Sequence, residues 1–160
     1  MKKQPFKIDD IIFDTPFILA PLAGITDRSM RSLCLEQGAS FVYTEMVSGK
    51  GLWYGDRKSR DLLVPGPDET DRFGIQVFGS DPEIMEFTAN SLRDAGNLIL
   101  DLNAGCPVPK IVKNGEGSAL IKKPDLLYDI VCAMVKAAGK PVTVKFRMGF
   151  AKGEDTAVET

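Results

Sequence analysis

The chain has 160 residues, 44% hydrophobic and 26% charged, with a formal net charge of −2, the balance of an ordinary globular protein with apolar material for one core. It contains no histidine, so Ser-His or Cys-His nucleophilic catalysis and histidine-ligated metal sites cannot be assembled from these residues alone. Its three cysteines, Cys34, Cys106 and Cys132, have neither C-x-x-C spacing nor an even count, which argues against a disulfide framework or zinc site and for free thiols.

Phe6 to Phe13 reads as a short hairpin arm with Asp9 and Asp10 at its turn, a lid on the bottom of the fold. Phe17 to Pro21 is a strand. No run approaches the roughly 18 apolar residues of a membrane span, and Phe17 to Ala23 is too short and too far in for a signal peptide, so a cytoplasmic protein is expected. Thr26 or Asp27 opens a helix closed by Gly38, with Met30, Leu33 and Cys34 inward. Strands follow at Phe41 to Thr44 and Phe73 to Phe78. Ser80 or Asp81 then caps a helix beginning at Pro82, with Ile84, Phe87 and Leu92 inward and Gly96 at its end. Leu98 to Leu102 is the next strand. The helix from Pro124 to Gly139 keeps Leu127, Ile130, Val131, Met134, Val135 and Ala138 on one face, and Val142 to Phe146 is the last strand. Cys34 and Cys132, inside amphipathic helices, read as small buried hydrophobes. This βα order predicts an α/β fold with a parallel sheet, and the same local pattern serves an open, doubly wound sheet and a closed barrel alike.

Parallel strands are usually covered on both faces, so polar side chains near their carboxyl ends need a reason. Period-2 alternation puts Gly74, Gln76 and Phe78 on one face of their strand, Ile99, Asp101 and Asn103 on one face of the next, and Thr143, Lys145 and Arg147 on one face of the last. Either these are satisfied polar layers of a barrel, or they converge on a site at the carboxyl ends, where active sites of such folds lie.

Between Leu102 and Pro124 lies a stretch of about twenty residues, long for a βα loop and therefore functional or disordered. Within it, Gly105 and Pro107 constrain the backbone on either side of Cys106. A thiol there is a candidate acid or nucleophile. An ordinary cysteine, with a pKa of about 8.5, is mostly protonated at neutral pH and suits a general acid that protonates a developing carbanion. Neither Gly49-Lys50-Gly51 nor Gly115-Glu116-Gly117 completes a dinucleotide fingerprint or a P-loop. Lys50, Arg57, Lys58 and Arg60 beside Trp53 and Tyr54, with Lys110, Lys113, Lys122 and Lys123 after Cys106, are expected to rim one mouth. Basic and aromatic groups together there suit a polyanion whose base enters a pocket.

Six segments give the chain a resemblance to the tRNA-dihydrouridine synthase family, of bacterial type, over essentially its whole length: Ala20 to Asp27 (APLAGITD), Thr44-Glu45-Met46, Gln76 to Gly79 (QVFG), Asp101 to Pro107 (DLNAGCP), Gly117 to Leu120 (GSAL) and Val144 to Gly149 (VKFRMG). The resemblance implies a TIM (β/α)8 barrel that binds FMN, takes electrons from NADPH and reduces particular tRNA uridines. Carried onto these positions, it implies that Pro21, Leu22 and Ala23 line the flavin, that Gln76 hydrogen-bonds its ring, and that Lys145 lies near its pyrimidine end. It further implies that Asn103 and Arg147 hold the uracil, and that Cys106 protonates C5 as hydride reaches C6. Leu22 and Ala104 depart from the family's usual larger or sulphur-containing residues without touching the chemistry.

A complete TIM barrel takes about 250 residues, so residues 1–160 are expected to be the N-terminal portion of the catalytic barrel, about five strands of it. The later strands and the family's helical tRNA-binding domain would then lie outside this chain. Two alternatives stand beside this reading: another FMN-dependent pyrimidine-reducing barrel, such as a dihydroorotate dehydrogenase relative, and an inactive half-barrel that binds RNA or self-associates through its open edges.

Overall fold

The computed structural model describes residues 6–158. Strands β1 (Phe6–Ile8) and β2 (Ile11–Phe13) form the expected antiparallel hairpin, turned by Asp9 at φ 52°. The rings of the paired Phe6 and Phe13 stack at 4.4 Å. There follow β3 (Ile18–Leu19), helix α1 (Arg28–Glu36), β4 (Phe41–Tyr43), β5 (Val47–Ser48), and the short helices α2 (Gly49–Trp53) and α3 (Arg57–Asp61). The remainder is β6 (Phe73–Phe78), α4 (Pro82–Ser91), β7 (Ile99–Ala104), α5 (Pro109–Lys113), α6 (Pro124–Ala138) and β8 (Val142–Phe146).

The sheet runs β3-β4-β6-β7-β8, every pair parallel, with β5 also beside β6. Strand order follows chain order throughout, without the reversal that defines a doubly wound sheet. The sheet is curled into part of a barrel, as the resemblance implied.

Alternation divides each strand as expected. Ile75, Val77, Leu100, Leu102 and Ala104 face outward and form the main core with Met85 and Ala89 of α4 and Leu127, Ile130 and Met134 of α6. The concave face begins with Phe13, Phe41, Tyr43 and Ile99, packed edge to face at 5.3 Å (Phe13 to Phe41) and 5.2 Å (Phe41 to Tyr43). The hairpin therefore plugs the amino ends of the strands, and the carboxyl ends are left for polar groups.

Several expected helix faces are rotated. In α1 the buried residues are Arg31 and Leu35, while Leu33 is 51% exposed and Cys34 only half-buried. The cause is a buried ion pair: Arg31 Nε and Nη2 donate to the carboxylate of Glu69 at 2.7 and 3.1 Å, a charged anchor that apolar periodicity does not register. In α4, Met85, Thr88 and Ala89 are buried, and Phe87 instead lies edge-on to Trp53 at 4.8 Å. Val135 and Cys132 of α6 are exposed, so Cys132 is not the buried hydrophobe expected. The long stretch before α6 is ordered as α5 and a 3₁₀ turn, Gly117–Lys122. Among the described residues no helix is long and apolar enough to cross a membrane.

Candidate functional site

Parallel register places Gln76 beside Asp101 and Asp101 beside Thr143, and sets Asn103 beside Lys145 one layer nearer the carboxyl ends. The side chains connect. Thr143 Oγ1 donates to Asp101 Oδ1 at 2.6 Å, and Gln76 Nε2 donates to Asp101 Oδ2 at 2.6 Å. Asn103 Nδ2 donates to Gln76 Oε1 at 2.8 Å. Asn103 Oδ1 in turn accepts the backbone N–H groups of Gly105 and Cys106 at 3.2 and 2.9 Å. A continuous hydrogen-bonded chain thus runs from the barrel interior to the Cys106 loop. Burial pushes the Asp101 carboxyl up to about 6, against the opposing effects of the Gln76 and Thr143 hydrogen bonds and the Lys145 charge. Burial, then the Asp101 charge, pushes the Tyr43 phenol beneath it up to about 12.

The Cys106 loop is held from its other side by the 3₁₀ turn. Ser118 N–H donates to the Cys106 carbonyl at 3.0 Å. Gly117 adopts φ +60°, and a Cβ there would stand 2.7 Å from the Cys106 carbonyl oxygen and 2.9 Å from Ile111 Cγ2. Both its backbone conformation and the lack of space require glycine.

Facing this loop, the segment Pro21 to Thr26 is braced at three points. The buried Thr26 hydroxyl bonds both the N–H and the carbonyl of Leu22, at 3.1 and 3.2 Å. Gly24 N–H donates to the Glu45 carboxylate. Arg31 Nη1 donates to the Thr26 carbonyl at 2.9 Å, so the buried Arg31–Glu69 pair also anchors this segment. Leu22 and Ala23 are left exposed at its tip.

Between the two loops lies a cleft of about 300 Å³, lined by Pro21, Leu22, Ala23, Met46, Gln76, Asn103, Cys106 and Lys145 among others. It brings together all the expected site residues except Arg147, whose side chain lies against Gly105 just outside, its Cγ 3.3 Å from where a Gly105 Cβ would be. Gln76 is 1% exposed with both ends of its amide engaged, leaving one N–H of Nε2 uncommitted. Asn103 is similarly committed, its second N–H near only the soft Met46 sulphur at 3.7 Å. Cys106 is half-buried and Lys145 is exposed to the cleft. The arrangement offers an apolar lip, a cation and a positioned thiol, suited to a flat, polar-edged ligand.

Of the basic residues expected around the mouth, none lines the cleft itself; Lys50 Nζ lies 3.9 Å from Glu116 Oε1, which links the start of α2 to the segment that follows Cys106. Lys122 sits over the Phe150 ring at 3.5 Å. Among the described residues no group of three or more acidic or sulphur ligands is placed to hold a metal ion.

From sequence, Glu45, Gly117 and Ser118 carry no individual role and Thr26 only that of a candidate helix cap, a place Asp27 takes, although each stands in a segment that carries the resemblance; Asp101 and Thr143 read only as polar residues of a shared face. The register-matched row Gln76, Asp101, Thr143 is the signal that identifies them.

The family model described as "Dihydrouridine synthase (Dus)" matches residues 18–160. The chain is 42% identical over 142 residues to "tRNA-dihydrouridine synthase B" of Proteus vulgaris, covering 89% of this chain and 44% of that protein. It is 39% identical over 144 residues to the protein of the same name from Vibrio cholerae, covering 90% of this chain and 44% of that one. It therefore spans less than half the length of these curated relatives. The motifs that carry the resemblance are the ones that build the cleft, the two braced loops and the buried polar row, and the chain belongs to the dihydrouridine synthase family.

Proposed function

We propose that this chain forms the N-terminal part of the catalytic barrel of a flavin-dependent tRNA-dihydrouridine synthase, with the helical tRNA-binding domain and the rest of the barrel outside it. The observation that carries the reading is the cleft: Cys106, Lys145, Gln76, Asn103 and the Pro21 to Ala23 lip, drawn from four separate strand ends, line one space. Those residues fit FMN. The apolar lip of Pro21, Leu22 and Ala23 suits one face of a flat ring, the free Nε2 hydrogen of Gln76 suits a ring acceptor, and Lys145 suits the negative charge of a reduced ring. When bound and reduced by NADPH, the flavin supplies the hydride for C6 of the uracil.

The protein's own part is positioning and proton supply. Asn103 and Arg147, on either side of the Cys106 loop, orient the uracil, and the Cys106 Sγ proton passes to C5. The backbone bonds from Asn103 Oδ1 and Ser118 N–H hold that thiol in place while the proton moves. The exposed basic residues of α2, α3 and the segment after Cys106 contact tRNA phosphates, and the setting is cytoplasmic, where tRNA and NADPH are supplied.

Titrating the chain with FMN while following flavin fluorescence tests the reading. Saturable quenching that weakens about tenfold or more in Lys145→Ala is expected. A chain that binds no flavin either alone or supplied with the remaining barrel would overturn it.

A second reading rests on the open edges. Leu127, Tyr128, Val131, Val144 and Phe146 line an apolar groove of about 250 Å³ beside β8, and Phe17 to Leu19 with Cys34 and Ala39 line another beside β3. Unpaired strand edges and apolar grooves at both ends favour self-association of the chain. Concentration-dependent sedimentation, abolished by Val144→Lys, is the expected signature.

A further inference from the structure

We propose that Asp101 is a positioning residue for the Cys106 loop, acting as the acceptor that sets the polarity of the Gln76 and Asn103 amides. It rests on the reading of Cys106 as proton donor for its functional meaning, though not for its geometry.

An amide side chain presents a donor at one end and an acceptor at the other, and the two ends have nearly the same shape. Packing alone therefore does not choose between its two orientations. Gln76 is buried between Asp101 and Asn103. Asp101 is 4% exposed, and its two carboxylate oxygens are taken by Thr143 Oγ1 and Gln76 Nε2. An ionised carboxylate can only accept, so Gln76 must point Nε2 toward it and Oε1 toward Asn103. Asn103 then meets an acceptor and must point Nδ2 toward Gln76. Only in that orientation does Oδ1 face the Gly105 and Cys106 N–H groups. Reversing either amide would set two donors or two acceptors against each other in a buried row, which is costly. The charge of Asp101 is thus converted, through two neutral side chains, into the position of a loop it does not touch. The carboxylate itself is stabilised by Lys145, which faces the cleft, while the Tyr43 hydroxyl meets Thr143 from below.

Backbone amide exchange, measured by NMR on the 160-residue chain, reads this relay without any flavin or turnover. In Asp101→Leu, which removes the acceptor while keeping the branching of the side chain, Gly105 and Cys106 N–H exchange is expected to accelerate about tenfold or more, while the buried Met85 and Met134 amides stay unchanged. Asp101→Asn keeps one acceptor oxygen for Gln76 and is expected to stay within about threefold of the parent chain. If Asp101→Leu exposes the whole core, Gln76→Met interrupts the relay one link further on and carries the same expectation. Unchanged Gly105 and Cys106 exchange in a folded Asp101→Leu or Gln76→Met variant overturns the proposal, as does a loss in Asp101→Asn equal to that in Asp101→Leu. Should Cys106→Ala leave uridine reduction intact, the proton-donor reading fails while these exchange results stand, so the two ideas fail separately.

Discussion

Asn103 Oδ1 accepts the backbone N–H of Cys106 at 2.9 Å, so the side chain that ends one strand's inward row is also the peg on which the Cys106 loop hangs. Asn103→Ala removes that peg and leaves the Gly105 and Cys106 donors and the Gln76 acceptor without partners. A loss of about 1–3 kcal/mol in unfolding free energy is expected. Alkylation of Cys106 should also accelerate relative to the half-buried Cys34, as followed by peptide mass spectrometry.

Cys106→Ala deletes the thiol but leaves the backbone bonds of its loop. Flavin binding and reduction by NADPH are expected to persist, while uridine reduction by the flavin-loaded enzyme falls by roughly 10²–10⁴, the range for removing a positioned general acid. Turnover unchanged in this variant would take Cys106 out of the acid role.

Gly117→Ala places a methyl group 2.7 Å from the Cys106 carbonyl oxygen, at a backbone φ of +60°. Strain and steric conflict should together cost about 1–3 kcal/mol, read from the midpoint of urea unfolding. Alanine at the open Gly96, where φ is +80° but nothing lies within 4 Å, isolates the conformational part.

Breaking the buried Arg31–Glu69 pair by Glu69→Gln or Arg31→Met leaves one charge or fork of donors without its partner at 3% and 0% side-chain exposure. About 3–5 kcal/mol of stability is expected to be lost in either single variant, with much of it regained when both positions are made apolar together. Because Arg31 also binds the Thr26 carbonyl, Arg31→Met should in addition weaken flavin binding, and Glu69→Gln less so.

The Asp101 carboxyl, raised from 3.8 to about 6 by burial, holds its proton more tightly folded than unfolded. Its contribution to stability is therefore fully present below about pH 4 and lost as pH rises through about 6. Asp101→Asn does not titrate. Its stability relative to the parent chain is expected to improve by about 1–3 kcal/mol between roughly pH 4 and pH 7, measured by urea unfolding at each pH. A difference that stays flat across that range would show that the carboxyl titrates near its ordinary value.

Much of the fold was legible in advance because its signals are local. Alternation in β6, β7 and β8 separated the outward Ile75, Leu100 and Val144 from the inward Gln76, Asp101 and Lys145. Proline marked the starts of α4 and α6, and Gly139 takes the left-handed conformation that ends α6, whereas α4 stops at Ser91, short of the expected Gly96. The hairpin turn at Asp9 and Asp10 was readable too. The face of α1 was not, because Arg31 is buried by a partner 38 residues away. Nor was the order in the long stretch after β7, where the 3₁₀ turn is tied to the Cys106 carbonyl by the Ser118 N–H and buries Leu120 in the main core.

The sequence by itself determined the strand faces, the placement of a thiol on a constrained loop and, through its motifs, the family. Tertiary structure decided how those residues act on one another. Gln76, Asp101 and Thr143 are 25 and 42 residues apart along the chain, and only sheet register makes them neighbours. Hydrogen-bond polarity then passes from one to the next, since each buried donor must find an acceptor. Local pattern could place each group on a face, but the order in which they hold the Cys106 loop follows from the alignment of strands.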